Sequence, residues 1–242
     1  MKTRTLENSP NWYARIAGMF YLLVIFLGIF AEGFVVNQFV VSGDQAKTAQ
    51  NILANRSLWN LGVMANICLI LCAITVSWLL YNLLKPVNKN LILLAALFNV
   101  LSLAIESVSK MCLLLVLPIL KNVQYSKAFT PEQVHAFANI ALKSHEIAFN
   151  FALILFGVTI IIYGVLIYKS GYLPKMIGVL MQIGGVSYLI ACFSIFFAPV
   201  ISNLINPYIL IPCIVGEGSL CLWLLIKGVN LVKWNEKIAP ST

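Results

Sequence analysis

The chain has 242 residues, 61% of them hydrophobic and 10% charged, with a net charge of +8 and a mean hydropathy of +0.93. Soluble domains carry about 25% charged residues, so a soluble enzyme or binding domain is excluded. Apolar runs of about 20 residues recur along the chain, which leaves no room for a separate soluble domain and speaks against the short alternating strands of a β-barrel.

The expected fold is all-α, a polytopic membrane helical bundle forming one integral membrane domain over residues 1–242 with six transmembrane helices. Ser9-Pro10 suits a helix start, and the first span is expected over about 12–36. Its apolar core exceeds a signal-peptide core and lacks a small-residue cleavage neck, so it is expected to stay in place. After Ser42-Gly43-Asp44, the polar stretch 45–55 carries Ala46, Ala49, Ile52 and Leu53 as an apolar stripe, which predicts a short helix at the membrane interface. The second span, about 58–83, stops at Lys85-Pro86, and the third covers about 91–120. Thr130-Pro131-Glu132-Gln133 has the pattern of a helix cap with proline at the first helical position. A short helix to Leu142 is therefore expected to lead into the fourth span at about 145–168. A tight turn from Lys169 to Pro174 precedes the fifth span, about 176–198, and Asn206-Pro207 opens the sixth, about 207–226.

Charge sets the orientation. With both ends inside, the inner side carries Lys2, Arg4, Arg15, Lys85, Lys89, Lys169, Lys175, Lys227, Lys233 and Lys237. The outer side carries Lys47, Arg56, Lys121, Lys127 and Lys143, and Lys110 stays within a span. This bias predicts N-in and C-in. The bases lie in short loops and at the ends, where they serve topology and lipid headgroups, so nucleic acid is not an expected partner. Trp12, Tyr13, Tyr81, Tyr168, Tyr172 and Trp234 read as an interfacial aromatic belt, and the six cysteines as buried thiols. Gly18, Gly28, Gly184 and Gly185 mark close helix contacts, and Asn66 and Asn99 read as helix-to-helix hydrogen-bonding residues.

Ionisable residues in hydrocarbon are costly and mark function by default. Glu32 is expected near the outer end of the first span, and Glu106 with Lys110 at middle to outer depth of the third. His145 and Glu146 fall at the outer mouth of the fourth span, with Asn150 a turn deeper. Glu217 lies near the middle of the sixth, and the set predicts an outer-facing polar cavity. Glu106 and Lys110 share a helix face at i,i+4, so mutual neutralisation competes with a functional role. Glu217 has no base three or four residues away and requires a proton, a partner on another helix or water. Gly216, Gly218 and Pro212 around it suggest local unwinding, as in transporter helices that line binding sites. His145 is the candidate metal ligand, with Glu32 or Glu106 as companions. The chain has 2 histidines and no His-Glu-x-x-His motif, so zinc is a minor alternative to having no cofactor. A nucleophile–base–acid triad, a phosphate loop and a dinucleotide fingerprint are not evident.

Ala14-Arg15-Ile16-Ala17-Gly18, Phe30-Ala31-Glu32, Leu84-Lys85-Pro86-Val87, Ser170-Gly171-Tyr172-Leu173-Pro174 and Gly216-Glu217 occur in an order that resembles a bacterial membrane-protein family, domain of unknown function 4386. The resemblance runs from about Asn11 to Val229. It implies a multi-pass protein of the bacterial cytoplasmic membrane and brings no activity with it. It picks out Arg15, Glu32, Lys85, Gly171, Pro174 and Glu217 as positions of the family pattern.

Three functions are compatible with these residues. The first is handling of a small solute, ion or proton through a cavity centred on Glu217, with Glu106 and Lys110 tuning it. The second is metal-assisted hydrolysis of a lipid-like substrate using His145, Glu32, Glu106 and Glu217. The third is a noncatalytic scaffold or receptor subunit. Membrane lipids are the expected surroundings, and a homo-oligomer is compatible with the apolar surface.

Overall fold

The computed structural model describes residues 10–206 and 208–238, and every regular element among them is helical. Ser9, Lys2, Arg4 and Pro207, which carried sequence expectations, lie outside the described residues. Six helices are long and apolar enough to cross a membrane, as expected. They are α1 (Pro10–Phe39), α3 (Arg56–Leu84), α4 (Lys89–Lys121), α6 (Pro131–Ser170), α7 (Lys175–Phe197) and α9 (Ile211–Ile226), the last preceded by a 3₁₀ turn at Tyr208–Leu210. Short helices fill the connections: α2 (Gln45–Ala54), α5 (Val123–Ala128), α8 (Pro199–Ile205) and α10 (Leu231–Ile238).

Several expectations change in detail. The fourth span does not begin at a break before His145. Thr130 and Gln133 form a reciprocal cap, with Thr130 N–H donating to Gln133 Oε1 at 2.9 Å and Gln133 N–H to Thr130 Oγ1 at 3.4 Å. From there α6 runs 40 residues without interruption. No glycine or proline occurs between Pro131 and Gly157 to stop it, and Lys143 and Glu146 are carried on the exposed face. Pro212 does not unwind the sixth span either. It occupies the first turn of α9, where its missing N–H costs nothing, and the helix continues through Gly216 and Gly218.

The chain divides into two compact units, the described residues within Met1–Leu23, Cys72–Leu103 and Phe151–Thr242, and those within Val24–Leu71 and Ala104–Asn150. In the first unit, α6 and α7 meet backbone to backbone. A Cβ at Gly164 would stand 2.6 Å from the Gly178 carbonyl oxygen, and one at Gly185 would stand 2.6 Å from that of Gly157, so glycine is required for the approach. Gly171, at φ +79°, makes the turn between these helices. Next to it, Tyr172 donates to the Leu83 carbonyl at 2.5 Å and packs edge-on against Trp234 at 4.9 Å. Both rings are buried, so they are core residues and not belt residues; burial also pushes the Tyr172 phenol well above its usual range. The unexpected α10 is held by this contact: its charged residues face outward and Trp234 faces in. Asn99 donates to Ser77 Oγ from α4 to α3, as expected of a helix-to-helix hydrogen bond.

The second unit is built on an apolar cluster. Val35 and Phe39 of α1, Trp59 and Val63 of α3, Leu113 and Val116 of α4, and Ala138, Ala141 and Leu142 of α6 pack together. Ile52 of α2 joins them. The α2 stripe packs on protein through Ala49 and Ile52, while Ala46 stays exposed. Asp44 caps α2 by accepting from Lys47 N–H at 2.8 Å. Within α1, Ile29–Val36 is π-helical, and the Asn37 N–H reaches back to the Glu32 carbonyl. Such widened turns frequently accompany functional sites.

Candidate functional site

Packing in the second unit generates a polar layer directly beside the apolar cluster. Glu32 lies one turn from Val35, Lys110 and Ser109 one turn from Leu113, and His145 one turn from Leu142, so three helices deliver their polar residues at the same step. The Lys110 ammonium is 2.6 Å from Glu32 Oε1 and 3.7 Å from Glu106 Oε1. It also stands 4.1 Å from the centre of the Phe149 ring, a favourable position over a π face. Lys110 is 2% exposed, and isolating an ammonium to that degree is tolerated only with acceptors around it.

His145 extends this ion pair into a relay. Its Nε2 is 3.3 Å from Glu32 Oε2, so the two oxygens of Glu32 serve His145 and Lys110 separately. Its Nδ1 is 2.7 Å from Ser109 Oγ. The Ser109 hydroxyl has a second acceptor, the His145 carbonyl oxygen at 3.0 Å. A serine has one proton to donate, so it bonds either Nδ1 or that carbonyl. In the first case the imidazole is neutral and gives Nε2–H to Glu32. In the second, Nδ1–H points at Ser109 Oγ while Nε2–H still points at Glu32, and the ring carries one more proton. Two protonation states fit one set of heavy-atom positions.

This Ser109–His145–Glu32 chain was not visible in the sequence, where no nucleophile–base–acid triad was evident. Ser109 is fully buried, so the arrangement is suited to passing a proton and not to attacking a substrate. Of the other candidates, Glu146 is exposed and paired with Lys143 at 2.7 Å, and Asn150 donates back to the Glu146 carbonyl at 2.8 Å. Neither joins the layer. No group of three or more His, Cys, Asp and Glu able to hold a metal ion occurs among the described residues, which leaves the His145 metal reading without a ligand set. A groove of about 500 Å³ on this unit is lined by Leu115, Ile119, Tyr125, Phe129, Phe137 and Ile140 together with Cys112, Ala141 and Ser144. It is apolar, and none of the charged candidates lines it.

Glu217 belongs to the first unit. Tyr21 of α1 donates to its Oε2 at 2.8 Å and Tyr188 of α7 to its Oε1 at 2.7 Å. Both oxygens thus have a phenol, and among the described residues no ion pair reaches the carboxyl group. The partner on another helix that Glu217 required is thus a phenol on each side, while Lys110 pairs with Glu32. Tyr21 and Tyr188 gave no sequence signal, because tyrosine is an ordinary residue of membrane helices. Asn66, read as a helix-to-helix hydrogen-bonding residue, is fully buried, and neither carboxamide atom has a partner among the described residues.

A family model described as domain of unknown function (DUF4386) matches residues 16–228. No curated protein and no solved structure matches the chain.

Proposed function

The chain belongs to the DUF4386 family and is a multi-pass membrane protein of six spans, and from that premise we propose that it handles a small ion or proton within the membrane through the layer of Glu32, Glu106, Lys110, Ser109 and His145. One observation carries the reading. Ser109 Oγ stands within hydrogen-bond distance of both His145 Nδ1 and the His145 carbonyl, while Glu32 holds the opposite ring nitrogen. Rotating one hydroxyl lets the ring take up or release a proton without moving a helix. Glu32 couples that change to the buried ammonium of Lys110 through its second oxygen. Glu106, at 3.7 Å, is the more loosely held carboxylate and the one free to change partners.

In this reading Glu217 has a supporting role: its carboxyl ties α1, α7 and α9 together through two phenols. The test is proton movement in liposomes that contain a trapped pH dye and a potassium-diffusion potential. Wild-type protein is expected to move protons faster than empty vesicles. His145→Gln is expected to return the rate to that of empty vesicles, and Ser109→Ala to lower it. A His145→Gln rate equal to wild type would sink the reading.

A further inference from the structure

Two helices of the second unit run antiparallel with a register that can be read from three contacts. A Cβ on Gly62 would press on Val35, one on Gly28 would meet Leu69, and the Phe39 and Trp59 rings lie 6.4 Å apart. Each step forward on α1 is a step back on α3, which sets Asn66 level with Ala31 and Glu32. Gly62, Asn66 and Leu69 also share one helix face by their i, i+4, i+7 spacing, and the outer two contact α1. Asn66 is therefore turned toward α1 at the level of Ala31 and Glu32. It is fully buried, and both Oδ1 and Nδ2 lack a hydrogen-bond partner among the described residues. A buried carboxamide without partners is unusual enough to require an explanation.

Charge identifies what would satisfy it. The layer holds two carboxylates, Glu32 and Glu106, against the single ammonium of Lys110, with His145 from α6. Counted by formal charge, the two carboxylates exceed the single ammonium by one. The oxygens not committed to a short bond are Asn66 Oδ1 and the carboxylate of Glu106, whose nearer oxygen is 3.7 Å from Lys110. One excess charge and a neutral amide oxygen suit a monovalent cation. A divalent ion would bring one positive charge more than the two carboxylates leave unbalanced beside the Lys110 ammonium.

We propose that Asn66, with Glu106, binds a small monovalent cation in this layer. The proposal rests on the ion-handling reading above and names its substrate class. The cation and the additional proton on His145 are then alternative ways of balancing the same charge, which gives the layer two occupied states.

The experiment follows thermal unfolding of the purified full chain at fixed pH, with sodium, potassium or ammonium chloride exchanged for choline chloride at constant ionic strength. Wild type is expected to show a saturable rise in midpoint with at least one of the three cations. Asn66→Leu removes the unpartnered amide, so its midpoint without cation is expected to rise, and the cation-dependent shift is expected to vanish. Asn66→Asp is expected to reach half-saturation at a lower concentration, and keeps the test open if the leucine variant does not fold. No cation response in wild type, or an unchanged response in either Asn66 variant, would overturn the proposal. Proton movement that still depends on His145 would then leave the broader reading standing, whereas loss of that dependence removes the broader reading itself.

Discussion

A lysine ammonium taken out of water needs its charge answered at close range, and Lys110 has Glu32 at 2.6 Å, Glu106 at 3.7 Å and the Phe149 ring to answer it. Lys110→Met would leave two carboxylates in the same place without the cation. We expect a loss of about 3–5 kcal/mol in chemical unfolding measured in detergent. Adding Glu32→Gln should recover part of it, and simple addition of the two losses would contradict the pairing. Glu217 behaves differently because its partners are hydroxyls. Glu217→Gln keeps an acceptor for one phenol and offers a donor to the other, so its unfolding midpoint should stay close to wild type. Glu217→Leu strands both phenols at about 1–3 kcal/mol each. Glu32, Glu106, Lys110 and Glu217 were legible in the sequence because a charge inside an apolar run stands out. Asn66 was legible only as a helix-to-helix hydrogen-bonding residue, and Ser109, Tyr21 and Tyr188 not at all, since uncharged polar residues are common in spans and acquire meaning only from what folding places around them.

Helix caps and helix crossings decide how these residues meet. The capping box at Thr130 was readable from four residues, and its consequence, an unbroken α6 that carries both Ala138 and His145, follows from the lack of any breaker before Gly157. Thr130→Ala should cost about 1 kcal/mol and weaken the start of the helix, measurable as faster amide exchange over the first turns of α6. Exchange unchanged from wild type would count against the cap. At the α6–α7 crossing a side chain has no room: a Cβ on Gly178 would lie 2.7 Å from the Gly164 carbonyl oxygen and from Tyr168 N. Gly178→Val is expected to lower the unfolding midpoint by more than the same change at Gly218, which has open space around it. Gly184 and Gly185 were anticipated as contact residues, whereas the partner glycines on α6 required knowledge of the crossing. The π-helical turn at Glu32 had no sequence signature at all, because its extra residue per turn is set by packing and not by composition.

For the whole molecule, the six spans were legible because hydropathy records which stretches must avoid water, and the six observed helices are those anticipated. The short α5, α8 and α10 escaped notice, being too brief for a periodic pattern to emerge. Orientation is an expectation of the charge bias, with both ends inside. In a cysteine-free background, Lys127→Cys should react with an impermeant maleimide on intact cells, and Lys237→Cys only after permeabilisation. The opposite pattern would invert the orientation.

The most direct test of the central claim uses the fact that the chain contains only 2 histidines. Protein labelled with ¹⁵N-histidine, in lipid nanodiscs, would be followed by ring-nitrogen NMR as pH is varied, with His135→Gln used to assign His145. The relay predicts that His145 Nε2 keeps its proton throughout, held against Glu32, while Nδ1 gains and loses one, and that Ser109→Ala disturbs the Nδ1 signal selectively. Loss of the Nε2 proton first, or a His145 ring that keeps one state across the range in which proton movement changes, would contradict it.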